Sequence, residues 1–215
     1  MLHIQSFTFN PFQENTYILF NEEKKAIIID PGMLDAVEEN SFFNFMAEQE
    51  LEPILLLNTH THLDHIFGNA AVLKKYTIPF AFHLLDRPVF DSAAAVSAMY
   101  HVPMQTSPEP SYYLENTGKI KLGADELSIL FTPGHSPGSV SFYHEAQKIL
   151  ISGDVLFQMS IGRTDLPGGD FDTLANSIHT QLFSLPDDTK VYSGHGPMTT
   201  IGFEKMNNPC VGSRK

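Results

Sequence analysis

Short apolar runs separated by turn residues recur along the chain and predict many short strands. The first 20 residues alternate apolar and polar positions, as in a strand with one buried face. Residues 16–20 and 26–29 are predicted to form two strands joined by a hairpin turn. Residues 53–57 have the composition of a buried strand. Further strands are predicted at 80–82, 127–131, 140–143, 149–152 and 190–193.

Helical spacing of apolar residues appears between these strands. Residues 35–50, residues 65–76 and the Ala-rich segment 86–99 are the predicted helices of the first half. Asp170 and Thr200 are each placed to cap a helix in the second half. The chain therefore alternates strands and helices in both halves.

Residues 101–117 are the least regular part of the chain, with three prolines and two adjacent tyrosines. Two interpretations stay open for them: a lip over a functional site, or a plain connector packed on its aromatic side chains. Both halves of the chain are predicted to consist mostly of strands with attached helices, and no linker divides them. We therefore predict one α+β domain over residues 1–215, with helices outside two packed sheets.

The charge balance changes which partners are expected. The 13 basic and 25 acidic side chains give a net charge of −12, and the basic residues are scattered. Nucleic-acid binding needs clustered Lys and Arg, so we expect a small-molecule partner and no nucleic acid. The single cysteine, Cys210, cannot form an intramolecular disulfide. Neither a basic leader nor a long apolar run is present, so no membrane span is expected and the cytoplasm is the simplest compartment.

Three of the ten histidines and one aspartate fall within six consecutive positions, His60-Thr61-His62-Leu63-Asp64-His65. In extended backbone His60 and His62 point the same way, because side chains alternate with a period of two. A turn into the next helix directs Asp64 and His65 to a neighbouring position. Imidazole and carboxylate ligands suit zinc, and also iron and manganese. The cluster therefore predicts two adjacent sets of metal ligands.

More ligands must come from elsewhere, because four groups cannot complete two metal shells. Three candidates share one pattern, a residue directly after glycine at a strand end: His135, Asp154 and His195. Glycine allows the backbone to turn sharply and to approach a ligand. Asp30 also ends a strand, where it either supports the ligand loop from behind or caps a turn. The remaining histidines are expected to be surface or hydrogen-bonded core residues: His3, His83, His101, His144 and His179.

Residues 134–138, Gly-His-Ser-Pro-Gly, also match the G-x-S-x-G nucleophile elbow of serine hydrolases. Ser136, Asp154 and His195 even occur in the triad order of that class. The elbow requires a helix directly after the serine, whereas the alternation that follows residue 138 predicts a strand. We therefore predict that His135, and not Ser136, is the functional residue of this turn.

The motif T-H-T-H-L-D-H at 59–65, followed by G-H-S, G-D and G-H-G, resembles the metallo-β-lactamase superfamily. Within it, the chain resembles the glyoxalase II-like (hydroxyacylglutathione hydrolase-like) enzymes, closest to the short bacterial type. The resemblance runs from N-T-Y at 15–17 and I-D-P-G at 29–32 to T-T-I-G at 199–202. It implies a four-layer αβ/βα sandwich of two mixed β-sheets, with helices on the outer faces and a two-metal site at one sheet edge.

The resemblance also implies roles for the candidate ligands. One metal would be held by His60, His62 and His135, the other by Asp64, His65 and His195, with Asp154 bridging them. Two divalent ions, most simply zinc, with iron or manganese as alternatives, would then activate a bridging hydroxide. Its target would be a thioester such as S-lactoylglutathione, or a related activated ester. Asp64 would be the catalytic carboxylate, which orients the hydroxide or accepts its proton.

Two features depart from the long glyoxalase II enzymes. Those enzymes carry a C-terminal helical region with basic residues that grip glutathione, whereas the basic residues after His195 are only Lys205, Arg214 and Lys215. The run G-R-T-D at 162–165 resembles the persulfide dioxygenases, which share the fold and use one iron. These enzymes, together with lactonases and β-lactamases of the same fold, are the rival enzyme classes.

Arg163 within that run has two possible roles. It either binds an anionic substrate group or pairs with Asp165 or Asp170 to hold a loop, and we favour the second role. A metal-dependent nuclease has the same ligand motif but disagrees with the acidic charge balance. A structural or storage metal site is the non-enzyme alternative. Seven protein ligands shared by two metals leave coordination positions open for water, whereas a structural site is closed, so this alternative is disfavoured.

Overall fold

Two six-stranded sheets, one from each half of the chain, face each other in the computed structural model, which describes residues 1–213. The first sheet contains, in spatial order, β1 (His3–Phe9), β2 (Glu14–Phe20), β3 (Lys25–Ile29), β4 (Glu52–Leu57), β5 (Phe80–His83) and β6 (Tyr112–Leu114). The other strands are β7 (Thr117–Leu122), β8 (Asp125–Phe131), β9 (Val140–His144), β10 (Ile149–Gly153), β11 (Leu156–Phe157), β12 (Ser160–Ile161), β13 (Lys190–Ser193) and β14 (Thr199–Thr200). The second sheet has the order β14-β13-β10-β9-β8-β7, and β11 pairs separately with β12.

Both sheets are mixed. The first is antiparallel from β1 to β3 and parallel from β3 to β6. The second is antiparallel except for the parallel pair β10 and β13. Parallel neighbours need crossover connections, and these connections contain all of the helices except the last one, which follows β14.

The helices are α1 (Ala36–Glu48), α2 (Leu63–Ile66), α3 (Asn69–Lys75), α4 (Arg87–Tyr100), α5 (Phe171–Ser177) and α6 (Ile201–Asn207). A 3₁₀ turn at Leu84–Asp86 leads into α4, and a π-helical turn at Ile178–Leu182 continues α5. Asp170 accepts a hydrogen bond from Thr173 N at 2.8 Å, and Thr200 accepts one from Phe203 N at 3.2 Å. Both predicted helix caps are therefore confirmed. Across residues 1–213, none of the helices has the length and apolar character needed to cross a membrane.

Side chains along the central strands alternate between two apolar interfaces. Ile27 and Ile29 of β3 lie in the core between the sheets, together with Phe142 of β9. Ile28 faces the opposite way and belongs to the core with Phe42 of α1. The outer face of the second sheet packs in the same manner on α5 and α6. The structure confirms the predicted four-layer α+β sandwich with helices outside two mixed sheets.

The predicted helix over 65–76 is wrong in its start and its continuity. The helical turn of α2 already begins at Leu63, so Asp64 and His65 lie inside it. The chain then breaks at Gly68 before α3, and Gly68 N donates to the Pro31 carbonyl at 2.7 Å. A Cβ at position 68 would lie 2.8 Å from that oxygen, so only glycine permits this close approach.

Residues 101–117 do not form a lip over the ligand cluster. Their end contains the strand β6, which the sequence did not predict, and Tyr113 of that strand packs on Phe82 with ring centroids 5.5 Å apart. Ser107 accepts a hydrogen bond from Asn69 at 3.0 Å. Of the two interpretations, the connector packed on its aromatic side chains is the one observed.

Candidate metal centre

Four loops at one edge of the sandwich carry the predicted ligands. The histidine cluster follows β4, and His135 lies in the turn between β8 and β9. Asp154 and His195 follow β10 and β13, which are parallel neighbours in the second sheet. Both sheets therefore contribute to one site, although the sequence separates its parts by more than a hundred residues.

Six of the seven side chains form the two groups that were expected from the resemblance. His60, His62 and His135 form one group, and Asp64, His65 and His195 form the other. The candidate ligand atoms within each group lie within 4.8 Å of one another. This spacing suits three ligands around one ion, so each group could hold a metal.

Asp154 lies between the two groups. Its Oδ2 is 3.5 Å from His135 Nε2 and 3.4 Å from His195 Nε2, while its Oδ1 is 3.5 Å from His65 Nε2. The carboxylate thus touches members of both groups through its two oxygens. This is the position that a bridging ligand requires.

Backbone carbonyls orient two of the histidine rings. His135 Nδ1 donates to the Arg163 carbonyl at 2.7 Å, and His195 Nδ1 lies 3.1 Å from the Phe12 carbonyl. A carbonyl oxygen can only accept, so Nδ1 carries the proton in both rings. The Nε2 atom of each ring therefore faces the site.

Asp30 orients two further rings, His65 directly and His60 through Thr59. It accepts hydrogen bonds from Thr59 N at 2.7 Å, Thr59 Oγ1 at 2.6 Å and His65 Nδ1 at 3.1 Å. The Thr59 hydroxyl proton is used on Asp30, so its oxygen is free to accept from His60 Nδ1, 3.1 Å away. Asp30 also lies close enough to His60 and His65 to form a ligand group with them. Since its oxygens are already engaged, we assign it the supporting role, one of the two roles that the sequence left open.

Several buried polar atoms at the centre of the site have no hydrogen-bond partner among the described residues. They are His60 Nε2, His65 Nε2 and Asp154 Oδ1. Buried polar atoms are nearly always paired in folded proteins, and an ion is one recognised explanation when they are not. The unpaired atoms are two histidine nitrogens and a carboxylate oxygen, which are ligand atoms that suit zinc, iron or manganese. The residues therefore fit a bound metal pair.

A buried aspartate that the sequence analysis missed connects two ligand loops. Asp86 accepts from Thr61 N at 2.6 Å and Thr61 Oγ1 at 3.0 Å in the cluster. It also accepts from Ser136 Oγ and from Gly138 N at 2.7 Å in the turn that carries His135. Its position before Arg87-Pro88 marks only the start of a helix, so the sequence carried no signal for this role.

The same contacts decide the role of Ser136. Its side chain is fully buried and donates to Asp86, and the strand β9 rather than a helix follows the turn. The serine-hydrolase alternative is therefore excluded. Ser136 shapes the turn that directs His135 into the site.

The loop that carries His195 is held from the first sheet. Asn15 Nδ2 donates to the carbonyls of Ser193 at 3.1 Å and Gly196 at 2.8 Å, and Tyr17 Oη donates to Ser193 O at 2.6 Å. A Cβ at Gly194 would lie 2.1 Å from Asp154 Oδ1. Glycine at this position is thus required for the ligand loops to come together.

Ionisation divides the histidines of the site into two kinds. Burial and the neighbouring histidines lower the pKa of His62 to about 3 and that of His60 well below its usual value. Burial also opposes charge on His65 and His195, but the Asp154 and Asp64 carboxylates outweigh it. The pKa of His65 therefore lies well above the usual histidine value, and that of His195 rises to about 9. Because Nδ1 is already engaged, the additional proton of each ring sits on Nε2.

Metal binding is therefore expected to release protons from His65 and His195. Their raised pKa values mean that protons compete with the metal at neutral pH, so affinity should increase as pH rises toward about 9. Each protonated ligand should contribute about a tenfold change in affinity per pH unit. Zinc titration calorimetry between about pH 6 and about pH 8, in two buffers of different ionisation enthalpy, measures both effects. His179→Gln, at an exposed histidine, is the control and should release the same protons, whereas a pH-independent affinity would contradict the expectation.

A cavity of about 400 Å³ opens onto the ligand groups. Its apolar walls include Phe12, Tyr100 and Phe157. Arg163 lines the rim, but its guanidinium makes two hydrogen bonds of 2.7 Å to Asp165. Of the two possible acidic partners, Arg163 therefore pairs with Asp165.

The residues expected to lie outside the site do so. His3, His83 and His144 are hydrogen-bonded to Glu22, Asn116 and Asp125, and His101 and His179 are exposed. Lys205 pairs with Asp187 at 2.6 Å and does not line the cavity. Arg214 and Lys215 lie outside the described residues.

Comparison with known proteins agrees with the fold. A model of the metallo-beta-lactamase superfamily matches residues 9–195. Hydroxyacylglutathione hydrolase GloC from Haemophilus influenzae is 37% identical over 216 residues, covering 99% of this chain and 100% of that protein.

Two solved structures are similar over nearly the whole chain. BLEG-1 B3 metallo-beta-lactamase has a TM-score of 0.89 and 40% identity, and the match covers 97% of this chain and 99% of that one. TTHA1623 in a di-iron-bound form has a TM-score of 0.86 and 36% identity, with 95% and 98% covered. Motif, fold and similarity together show that this chain belongs to the metallo-beta-lactamase superfamily.

Proposed function

We propose that the protein is a binuclear metal-dependent hydrolase of the glyoxalase II type, which cleaves a thioester such as S-lactoylglutathione or a related activated ester. The observation that carries this proposal is the pair of ligand groups joined by Asp154, with unpaired nitrogen atoms directed at their centre. The similarity to the hydrolase GloC supports the reaction class. Zinc is the proposed metal, with iron or manganese as alternatives, and the di-iron form of TTHA1623 supports iron as one of them.

The residues divide the chemical work among them. When bound, a pair of divalent metals lowers the pKa of water and polarises a carbonyl oxygen. His65 and His195 flank Asp64, whose Oδ2 lies 3.2 Å from His195 Nε2. Burial alone would raise the pKa of Asp64, but these two histidines lower it below the usual value, so the carboxylate is ionised at neutral pH. Asp64 is partly exposed to the cavity, where it can accept a proton from an attacking water.

The cavity favours a small uncharged reacting group. Phe12, Tyr100 and Phe157 line the cavity beside the ligand groups with aromatic surface. Arg163, which also lines this cavity, has its guanidinium paired with Asp165. The acidic net charge of −12 supports a small-molecule substrate and no nucleic-acid partner. We also propose a cytoplasmic location, which the single cysteine supports.

Metal analysis together with an activity assay tests the proposal. Purified protein is expected to contain two metal ions per chain and to hydrolyse S-lactoylglutathione without consuming oxygen. A content of one iron, with oxygen consumed in the presence of a glutathione persulfide, would instead establish the persulfide dioxygenase alternative. Full activity in metal-free protein would exclude a metal-dependent mechanism altogether.

Removal of the metal or of one ligand is expected to abolish hydrolysis. Chelation should reduce the rate to background, and zinc, iron or manganese should restore it. His62→Ala should lower kcat/KM by more than about a hundredfold. Loss of a residue that only supports a ligand costs up to about a hundredfold, so loss of a ligand itself should cost more. His179→Ala, at an exposed histidine outside the cavity, should leave kcat/KM unchanged. An equal loss in both variants would mean that the effect does not come from the site.

A further inference from the structure

A second cavity, of about 470 Å³, lies beside the metal cavity and is not used by the chemistry described above. One of its walls is the helix α4, where Val89, Ala93, Val96 and Tyr100 line it. These positions follow the spacing of one helix face, i, i+4, i+7 and i+11. The helix therefore presents an apolar stripe to this space and not to the core alone. We call this cavity the apolar groove.

The opposite wall of the apolar groove comes from the loop at residues 166–168 and from Pro137. Leu166 and Pro167 line it, and Gly168 lies directly against the ring of Pro137. The Leu166 carbonyl accepts from Gly169 N at 2.8 Å, which closes the loop into a tight turn. Both walls are thus held by short-range contacts, and the groove is formed before any ligand arrives.

The groove is uncharged. Among the described residues that line it there is no Asp, Glu, Lys or Arg side chain. A carboxylate or ammonium group placed there would lose its hydration without gaining a partner, which is costly. The groove therefore excludes the charged ends of a glutathione-like group and favours a saturated hydrocarbon chain.

The groove is continuous with the metal cavity. Five residues line both spaces: His62, Leu63, Val96, Tyr100 and Leu166. One of them, His62, is a candidate metal ligand, so the two spaces meet at the reacting centre. A molecule whose carbonyl lies at the ligand groups can therefore extend a chain between α4 and the 166–168 loop.

We propose that the apolar groove binds an unbranched hydrocarbon chain attached to the thioester or ester group, so that the enzyme prefers medium-chain over acetyl substrates. This inference rests on the proposed function for the reaction, but the groove itself can be tested without hydrolysis. Burying one methylene in such a groove strengthens binding by about twofold to fourfold. Chain lengthening from acetyl to octanoyl should therefore raise kcat/KM by at least about tenfold.

Binding of an unreactive ketone tests the groove independently of activity. 2-Octanone and acetone share a carbonyl group, and neither can be hydrolysed. In an NMR titration of the metal-loaded full-length protein, 2-octanone should shift the methyl signals of Val89, Ala93 and Val96, whereas acetone should not. Identical responses to the two ketones, or shifts confined to other methyl groups, would overturn the proposal.

Hydrolysis of a series of thioesters tests the preference and identifies the end of the substrate that carries the chain. The octanoyl and acetyl thioesters of N-acetylcysteamine place the chain on the acyl side, and S-octyl thioacetate places it on sulfur. At least one of the two compounds that carry the long chain should exceed the acetyl thioester of N-acetylcysteamine at least about tenfold in kcat/KM. The faster of the two shows which side of the substrate lies in the groove. Equal rates for all three would refute the preference. Ketone binding without any thioester hydrolysis would refute the proposed function and leave the groove established.

A polar substitution in the groove should remove the chain-length effect. Val89→Asp places a carboxylate on the half-buried face of α4, and it should lower the octanoyl-to-acetyl ratio of kcat/KM at least about fivefold. Val37→Asp is the matched control, because Val37 is 77% exposed on α1 and lines neither cavity. The control should keep the ratio and the ketone shifts of the unmodified protein. An unchanged ratio in Val89→Asp would contradict the proposed placement of the chain.

Discussion

Replacing Asp154 by alanine is expected to lower kcat/KM for thioester hydrolysis by about 10²–10³-fold, the range for loss of one well-placed electrostatic group. The side chain lies within 3.5 Å of His65, His135 and His195, so it contributes to both ligand groups at once. Without it, each group retains three side chains, but nothing joins them. Metal content should fall below two ions per chain, as measured by mass spectrometry alongside the rate.

Two comparisons make this expectation specific. Asp154→Asn keeps the shape of the side chain but removes its charge, so it should also lose metal. Asp91→Ala removes an aspartate that is 53% exposed and paired with Arg87, and it should keep both metals and the full rate. If Asp154→Ala retained two metals and the rate of the unmodified protein, Asp154 would not be a bridging ligand.

Replacing Asp86 by alanine is expected to lower the free energy of unfolding by more than about 3 kcal/mol. The carboxylate accepts hydrogen bonds from Thr61, Ser136 and Gly138, and its removal leaves these buried donors without an acceptor. Each unsatisfied buried donor costs about 1–3 kcal/mol. The loops that carry His62 and His135 also lose their connection, so metal affinity should fall by about 10–100-fold.

Urea denaturation and zinc titration measure the two effects of Asp86→Ala separately. Asp91→Ala is again the matched control, because this exposed side chain lies on α4 directly after the turn that contains Asp86, and its change should stay within about 0.5 kcal/mol. Should Asp86→Ala unfold at the same urea concentration as the unmodified protein, the link between the two loops would have no energetic importance. Should it unfold earlier but bind zinc normally, Asp86 would support the fold and not the ligands.

Much of the fold followed from local sequence patterns. The apolar runs of β3 and β4 and the turn between β2 and β3 depend on neighbouring residues, and so do the caps at Asp170 and Thr200. These features were predicted correctly because hydrogen-bonding and burial preferences act over a few residues. The break at Gly68 was missed because it depends on Pro31, which lies far away in the chain. The short strand β6 was missed because it forms by pairing with β5, and its own residues carry no clear strand pattern.

The candidate ligands were also visible in the sequence. A histidine cluster with glycine-flanked partners is rare, and imidazole and carboxylate side chains together indicate metal binding. What the sequence alone could not determine is how the partners meet. Asp86, Asn15 and Asp30 hold the ligand loops through contacts between distant segments, and none of them is one of the predicted metal ligands. Only the packing of two sheets brings these segments together.

The choice between Ser136 and His135 shows the same division. The sequence of residues 134–138 matches both a serine nucleophile elbow and a glycine-flanked metal ligand. The strand predicted after it favours the histidine but does not exclude the serine. The tertiary structure decides the matter, since it buries the Ser136 hydroxyl against Asp86 and directs His135 toward His60 and His62. Sequence thus determined which chemical groups this protein has, whereas the fold determined which of them share a site, because residues far apart in the chain come into contact only when the two sheets pack.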